Sequence, residues 1–310
     1  MTAIMYDPIF LEHDTGFHPE KADRLKAVVA RLESTGLWED ASHPDFGPAT
    51  EEEILRVHSP QVIELVKTVA AAGGGNLDLD TVVSARSYDA AMMAAGACLE
   101  AVRLVTSGAE GAAFCAVRPP GHHATREKSM GFCLFNNAAV AAAAALAEGL
   151  VERIAVVDWD IHHGNGTQDA FYSDGRVFYL SSHMSPHYPG TGRASETGSG
   201  EGAGTTLNIP VAPFTSAAEQ VKLLADAIGG PVAEFRPQLV IISAGYDSAE
   251  GDPLGALMLR PEDFRRLTEL CVDLARAESG GVVATLEGGY ELGILARGVE
   301  ETVGALMAGG

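Results

Sequence analysis

RIAVVDWDIHHGNG, residues 153–166, is the stretch that decides the fold. Ile154 to Val157 form a short apolar, β-branched run, which reads as a strand. Beyond Val157 the chain turns abruptly polar. Asp158, Asp160 and His162 are spaced by two, so on a strand or its extended continuation all three side chains point to one face. Such a cluster has two readings: solvated loop polarity, or oxygens and a nitrogen assembled for a metal ion.

Similar runs recur along the chain: AAFCAV near 112, RVFYLS at 176, LVIIS at 239 and GVVATL at 281. Amphipathic helical stretches lie between them, and that alternation predicts an α/β fold with a parallel sheet wrapped by helices. Helix starts are punctuated. Ser59 and Pro60 read as an N-cap followed by proline at the first helical position, and Arg260 to Asp263 opens another helix with acids in its first turn. The alanine run Ala138 to Ala147 predicts a helix packed closely through small side chains. From about 185 to 204 the chain is rich in Gly, Pro and Ser and has neither period. That predicts a long loop of the binding or lid kind, with a mobile surface excursion as the plainer alternative.

Composition bounds the function classes. With 310 residues, 46% hydrophobic and 20% charged, there is material for a sizeable core, and residues 1–310 are expected to form one domain. A formal net charge of −21 repels phosphate backbones and anionic lipid, so direct binding to nucleic acid or a membrane is not expected. A cationic partner is tolerated. Cys98, Cys115, Cys133 and Cys271 form no C-x-x-C pair and read as reduced, buried thiols. No basic n-region opens the N-terminus, and the alanine run is far short of the roughly 20 residues that span a bilayer. A cytoplasmic address is expected.

In an open parallel sheet, ligands bind beyond the carboxyl ends of the strands. Four of the apolar runs end there in polar clusters that contain glycine: RPPGHHA (118–124), DWDIHHGNG (158–166), AGYD (244–247) and EGGY (287–290). Asp160, His162 and Asp247 would give zinc three ligands and leave a position for water. Hydrolysing an amide at such a metal needs a base to take a proton from water and an acid to protonate the leaving amine. The paired imidazoles of His122 and His123 could share those jobs. The Tyr290 phenol could donate a hydrogen bond to a developing oxyanion, or merely pack.

Together with GFCLFNN (131–137), YPGTG (188–192), GDPLG (251–255) and LEGGY (286–290), these motifs stand in the order and spacing of the histone deacetylase family. They resemble its class II branch over about residues 6–307, and HPE at 18–20 and the segment Asp80 to Tyr88 match as well. The resemblance implies the arginase/deacetylase fold with an eight-stranded parallel sheet, and zinc-dependent hydrolysis of N-acyl, chiefly N-acetyl, lysine amides. It implies Asp160, His162 and Asp247 as zinc ligands, with iron in place of zinc left open. His123 would be the general base, His122 its electrostatic partner, Asp158 a hydrogen-bond partner of one imidazole, and Tyr290 the oxyanion donor. A structural potassium site would use Asp158, carbonyls of Asp160 and His162, and Ser181. A second monovalent site would use carbonyls near Phe171, Asp174 and Val177. Phe132, beside Gly131, and Tyr188 would wall a narrow channel for the acyl-lysine stem. Asp80 would accept backbone N–H groups of a peptide or cap its own loop, and His163 would be structural.

Asn165 stands where the class I branch carries aspartate. An amide supplies no charge to raise the base's pKa, which implies a different pH optimum. Relatives specialised for acetylpolyamines carry a glutamate at the position of Leu254, so the uncharged side chain implies an acyl-lysine protein or peptide as partner rather than a small acetylated amine. Three other functions compete: an acetylpolyamine or other small-molecule amidohydrolase, a two-metal ureohydrolase of the same fold, and an inactive reader of acyl-lysine.

Overall fold

The computed structural model describes residues 1–309. Its strands are β1 (Thr2–Met5), β2 (Gly74–Asn76), β3 (Val82–Ser84), β4 (Ala112–Cys115), β5 (Ile154–Asp158), β6 (Val177–Met184), β7 (Thr206–Val211), β8 (Leu239–Ala244) and β9 (Gly281–Leu286). β2 and β3 pair with each other, antiparallel. The others form one sheet in the order β1-β4-β9-β8-β5-β6-β7, parallel at every junction. The five runs read from the sequence are the interior strands β4, β5, β6, β8 and β9. The edge strands carry weaker signals: β1 has four residues, and β7 contains Pro210, which sheets accept mainly at an edge.

The sheet has seven strands rather than the expected eight. Beyond β1, Ser42 makes one parallel bridge, its N–H donating to Thr2 O (3.1 Å) and its carbonyl accepting from Ile4 N (2.9 Å). The next donor in that ladder falls on Pro44, which has no N–H. An eighth strand therefore stops at a single bridge.

β5 and β8 lie side by side near the centre and are buried along their whole length. Burying each Val or Ile there contributes about 1.5–3 kcal/mol over leaving it in water. Helices Asp23–Ser34, Pro261–Ala277 and Leu292–Gly309 pack on one another, while Ser87–Thr106 packs on Asn137–Ala147, and both groups lie against the sheet. Alanines dominate the buried positions of the second pair, which lets these helices approach closely. Asn136 caps Asn137–Ala147 by accepting from Ala139 N (3.0 Å). Arg260 to Asp263 opens Pro261–Ala277 as expected, Asp263 Oδ2 accepting from Arg260 N (2.9 Å). Ser59 holds the N-cap position of Pro60–Ala71, but its buried hydroxyl makes no hydrogen bond, so it caps by position alone. Residues 185–204 form the expected irregular loop, with a 3₁₀ turn at Gly200–Gly202. The four cysteines are buried and unpaired. Among the described residues no helix is long and apolar enough to cross a membrane.

A buried charge cluster anchors the segment that leaves β4. Arg118 is fully buried and grips Glu20 through Nε (2.5 Å) and Nη2 (2.7 Å), while donating to the carbonyls of Phe10 (2.8 Å) and His13 (3.1 Å). Arg24, also buried, reaches Glu20 at 3.1 Å. Burial pushes the Glu20 carboxyl up, but Arg118 outweighs it and holds the group well below the usual carboxylate range. A carboxylate depressed in this way stabilises fully above the ordinary glutamate pKa, and that contribution is lost as pH falls below it toward the folded value. Glu20→Gln should therefore cost about 3–5 kcal/mol in urea unfolding near neutral pH, because two buried guanidiniums lose their counter-charge. The gap from wild type should narrow as pH falls below about 4.3. A gap that stays constant with pH would remove the ion pair as its cause.

Candidate active site

Because the strands run parallel, their carboxyl ends face one way, and the neighbours β4-β9-β8-β5 carry the four polar clusters. Asp158 ends β5. The chain then bends so that Asp160 and His162 meet Asp247, while the intervening Trp159 and Ile161 are fully buried among apolar side chains. Asp160, His162 and Asp247 each offer a ligand atom within 4.8 Å of the others. His162 Nδ1 is 2.9 Å from Asp160 Oδ1 and 3.3 Å from Asp247 Oδ2. Backbone amides hold the other oxygens: Gly288 N donates to Asp160 Oδ2 (2.9 Å) and Ile161 N to Asp247 Oδ1 (3.0 Å).

Asp247 Oδ2 is buried and accepts no hydrogen bond. Burial, and then the charge of Asp160, push its carboxyl up to about 6. A buried oxygen without a donor, facing an imidazole nitrogen and a second carboxylate, fits a divalent cation of zinc's preferences. Gly288 makes this packing achievable, since a Cβ there would sit 2.1 Å from Asp247 Oδ2 and 2.6 Å from Asp160 Oδ2.

His122 and His123 have ring centroids 4.0 Å apart, yet their surroundings differ. His122 Nδ1 lies 3.1 Å from Asp158 Oδ2, and its Nε2 lies 3.8 Å from Asp160 Oδ1. Burial opposes a charge on this ring, but Asp160 and Asp158 outweigh it and push its pKa up to about 10. His123 Nδ1 is instead 2.8 Å from Asn165 Oδ1. The Asn165 Nδ2 donates to the His123 carbonyl (3.3 Å), so its oxygen faces the ring. On that assignment Nδ1 carries the ring proton and Nε2 keeps a lone pair. Burial, then His122 and His162, hold His123 well below the ordinary imidazole range. The surroundings thus favour the charged form of His122 and the neutral form of His123.

These groups open into a cavity of about 220 Å³, lined also by Asp80, Gly131, Phe132, Tyr188, Leu254 and Tyr290. Phe132 has φ 69°, a conformation that costs a non-glycine residue about 1–3 kcal/mol and recurs at ligand clamps. Its ring meets Tyr290 edge-on at 5.8 Å, and Tyr188 meets His123 edge-on at 5.1 Å. Asp80 does not cap its loop. Asp78 does, accepting from Asp80 N (3.2 Å) and Thr81 N (2.8 Å). His163 bonds Thr191 (2.8 Å) and Gln168 (3.0 Å), tying the 185–204 loop to the core.

The remaining residues singled out in the sequence lie outside the cavity lining. Ser181 pairs with Asp158 across β5 and β6, its hydroxyl 2.9 Å from His183 Nδ1. The carbonyls of Phe171 and Asp174 accept from Asp174 N (3.0 Å) and Val177 N (3.3 Å). Two site residues escape a reading of the sequence. His187 stacks on His162 at 4.8 Å and 19°, and its place beside Tyr188 in a Gly/Pro-rich loop was its one visible signal. Arg24 donates to Gly289 O (2.7 Å) with its guanidinium carbon 5.0 Å from the Tyr290 ring centroid, and nothing near it in sequence announces that.

The histone deacetylase domain model matches residues 18–306. A probable deacetylase of Archaeoglobus fulgidus is 37% identical over 94% of this chain and 82% of its own length. The human polyamine deacetylase is 39% identical over 93% of this chain and 44% of its own length. The crystal structure of the HDA15 HD domain superposes with a TM-score of 0.93 at 35% identity, covering 99% of this chain and 88% of that one.

Elemental analysis of the purified protein should find one divalent ion per chain. Asp247→Ala and Gly288→Ala should each lose it while circular dichroism stays unchanged. Two tightly held divalent ions would instead mark the ureohydrolase arrangement.

Proposed function

The chain belongs to the histone deacetylase family of zinc-dependent hydrolases, and we propose that it removes acyl, chiefly acetyl, groups from lysine side chains of proteins or peptides, with residues 1–310 acting as one unit. The observation that carries this is a single cavity lined by the unequal histidine pair, Tyr290, the rings of Phe132 and Tyr188, and His162, which gathers with the buried Asp160 and Asp247 into a triad fit for a metal. Zinc, or iron in its place, would be held by Asp160, His162 and Asp247, and when bound it supplies Lewis acidity toward the amide carbonyl and acidifies a water. Potassium would sit near Asp158, Ser181 and the Asp160 and His162 carbonyls, with a second monovalent ion at the carbonyls of Phe171, Asp174 and Val177.

Phe132 and Tyr188 hold the methylene stem, for which flat rings offer apolar area. His123, neutral and with Nε2 free, takes a proton from water as that water attacks the carbonyl carbon. His122 stays cationic between Asp158 and Asp160, and its field disfavours a second lasting charge on His123, which promotes onward transfer of the proton. The Tyr290 phenol donates to the oxygen that becomes negative. Collapse then breaks the C–N bond, the proton held on His123 passes to the amine, and a carboxylate and a free lysine leave.

Leu254, half-buried at the cavity, supports the choice of lysine over polyamine, because it gives a secondary ammonium no partner and an unpaired ammonium there is costly. A small acetylated amine is the second substrate class, favoured by the human relative that bears the name polyamine deacetylase and by the carboxylate of Asp80 at the cavity.

Tyr290→Phe should lower kcat by on the order of 10²-fold with metal content unchanged, the loss expected for one oxyanion donor. Unaltered turnover would take the phenol out of the reaction. For substrate choice, kcat/KM should favour an acetyl-lysine peptide over N8-acetylspermidine, and Leu254→Glu should move the ratio toward the polyamine. A wild type that already prefers the polyamine would assign the chain to the small-molecule class.

A further inference from the structure

The Tyr290 phenol is aimed by a backbone turn that has little stiffness of its own. Gly288 and Gly289 precede the tyrosine, and Gly289 sits at φ 120°, a region open to glycine and closed to most other residues. The Tyr290 ring gains an edge contact from Phe132, which limits its tilt but not the position of its Cα. Something outside the turn must set that position.

We propose that Asp252 is a positioning residue for Tyr290 and couples it to the loop that carries Leu254. Asp252 is 5% exposed. Its Oδ2 accepts from Tyr290 N (2.6 Å) and Glu291 N (3.1 Å), and its Oδ1 accepts from Leu254 N (3.0 Å). One side chain spends both oxygens on backbone amides from two segments, and a carboxylate accepts N–H bonds more strongly than a neutral oxygen does. From the other side, Arg24 holds the carbonyls of Gly289 (2.7 Å) and Glu287 (2.5 Å). A cation grips the carbonyls of the turn and an anion grips its amides, so the turn is fixed from both sides. Leu254 is tied in again through its carbonyl, which accepts from His187 Nε2 (3.1 Å), while His187 stacks on His162. The cavity wall and the phenol therefore share one anchor, and that anchor is the aspartate of GDPLG.

The inference rests on Tyr290 being the oxyanion donor, so its test is a double-mutant cycle. Asp252→Asn keeps the shape but replaces one acceptor oxygen with an NH₂ that faces amide donors. In the otherwise wild-type enzyme it should lower kcat by on the order of 10-fold or more, the scale for a misplaced reacting group, with little change in KM or metal content. In the Tyr290→Phe background the same change should cost less than about threefold, because the group it positions is already gone. If Asp252→Asn does not fold, Asp252→Glu, which keeps the charge and moves it by one methylene, should give the same pattern. Equal losses in both backgrounds, or no loss in the wild type, would overturn the positioning role. Unaltered turnover in Tyr290→Phe alone would overturn the assignment of the phenol instead.

Discussion

The structure depends on keeping several carboxylates in one dry place. Asp158, Asp160, Asp247 and Glu287 are all fully buried at the ends of neighbouring parallel strands. Like charges gathered out of water repel, and each must be matched by donors or cations. Backbone amides from the strand-end turns supply part of the match: Asp158 Oδ1 accepts from Asp160 N (3.1 Å), and Glu287 Oε2 accepts from Gly121 N (2.7 Å) and His122 N (3.1 Å). The turns thus hold the carboxylates and are held by them. What the amides leave unmatched, above all Asp247 Oδ2, is the electrostatic demand for a metal.

The same clustering gives the two histidines unequal surroundings. Residues adjacent in sequence would be expected to titrate alike, but the cluster of acids lies on one side only. His122 faces carboxylates and His123 faces the amide of Asn165. Substituting a carboxylate for that amide would make the two imidazoles more alike, so the neutrality of Asn165 matters as much as the charge of Asp158. The general-base role proposed for His123 rests on that inequality.

The outer parts serve access and aim. Glu20, Arg118 and Arg24 form a buried ion cluster that ties the N-terminal segment both to the loop after β4 and to the turn after β9. The 185–204 loop brings Tyr188 and His187 against His162 and is fastened by Thr191 to His163 and by Glu196 to Gln168. A long loop of glycine, proline and serine is ordered here by hydrogen bonds to buried partners rather than by any local period.

How much of this was legible from the letters depends on how far the deciding contact lies along the chain. The interior strands and the strand-end clusters that supply Asp160, His162 and Asp247 are written locally, as apolar runs that stop at polar residues with fixed spacing, whereas Phe132 and Tyr188 stand out only through the family resemblance. The family that the motifs resemble is legible in their order. Other features depend on partners far away in sequence. The eighth strand fails because the position due to pair next with β1 is Pro44. Arg24 reaches Gly289 across 265 positions, and Asp252 reaches Tyr290 across 38. Periodicity and propensity report what a residue does to its neighbours, so they locate elements and their ends. Which buried charge meets which amide is decided only when the sheet order β4-β9-β8-β5 sets distant strand ends side by side.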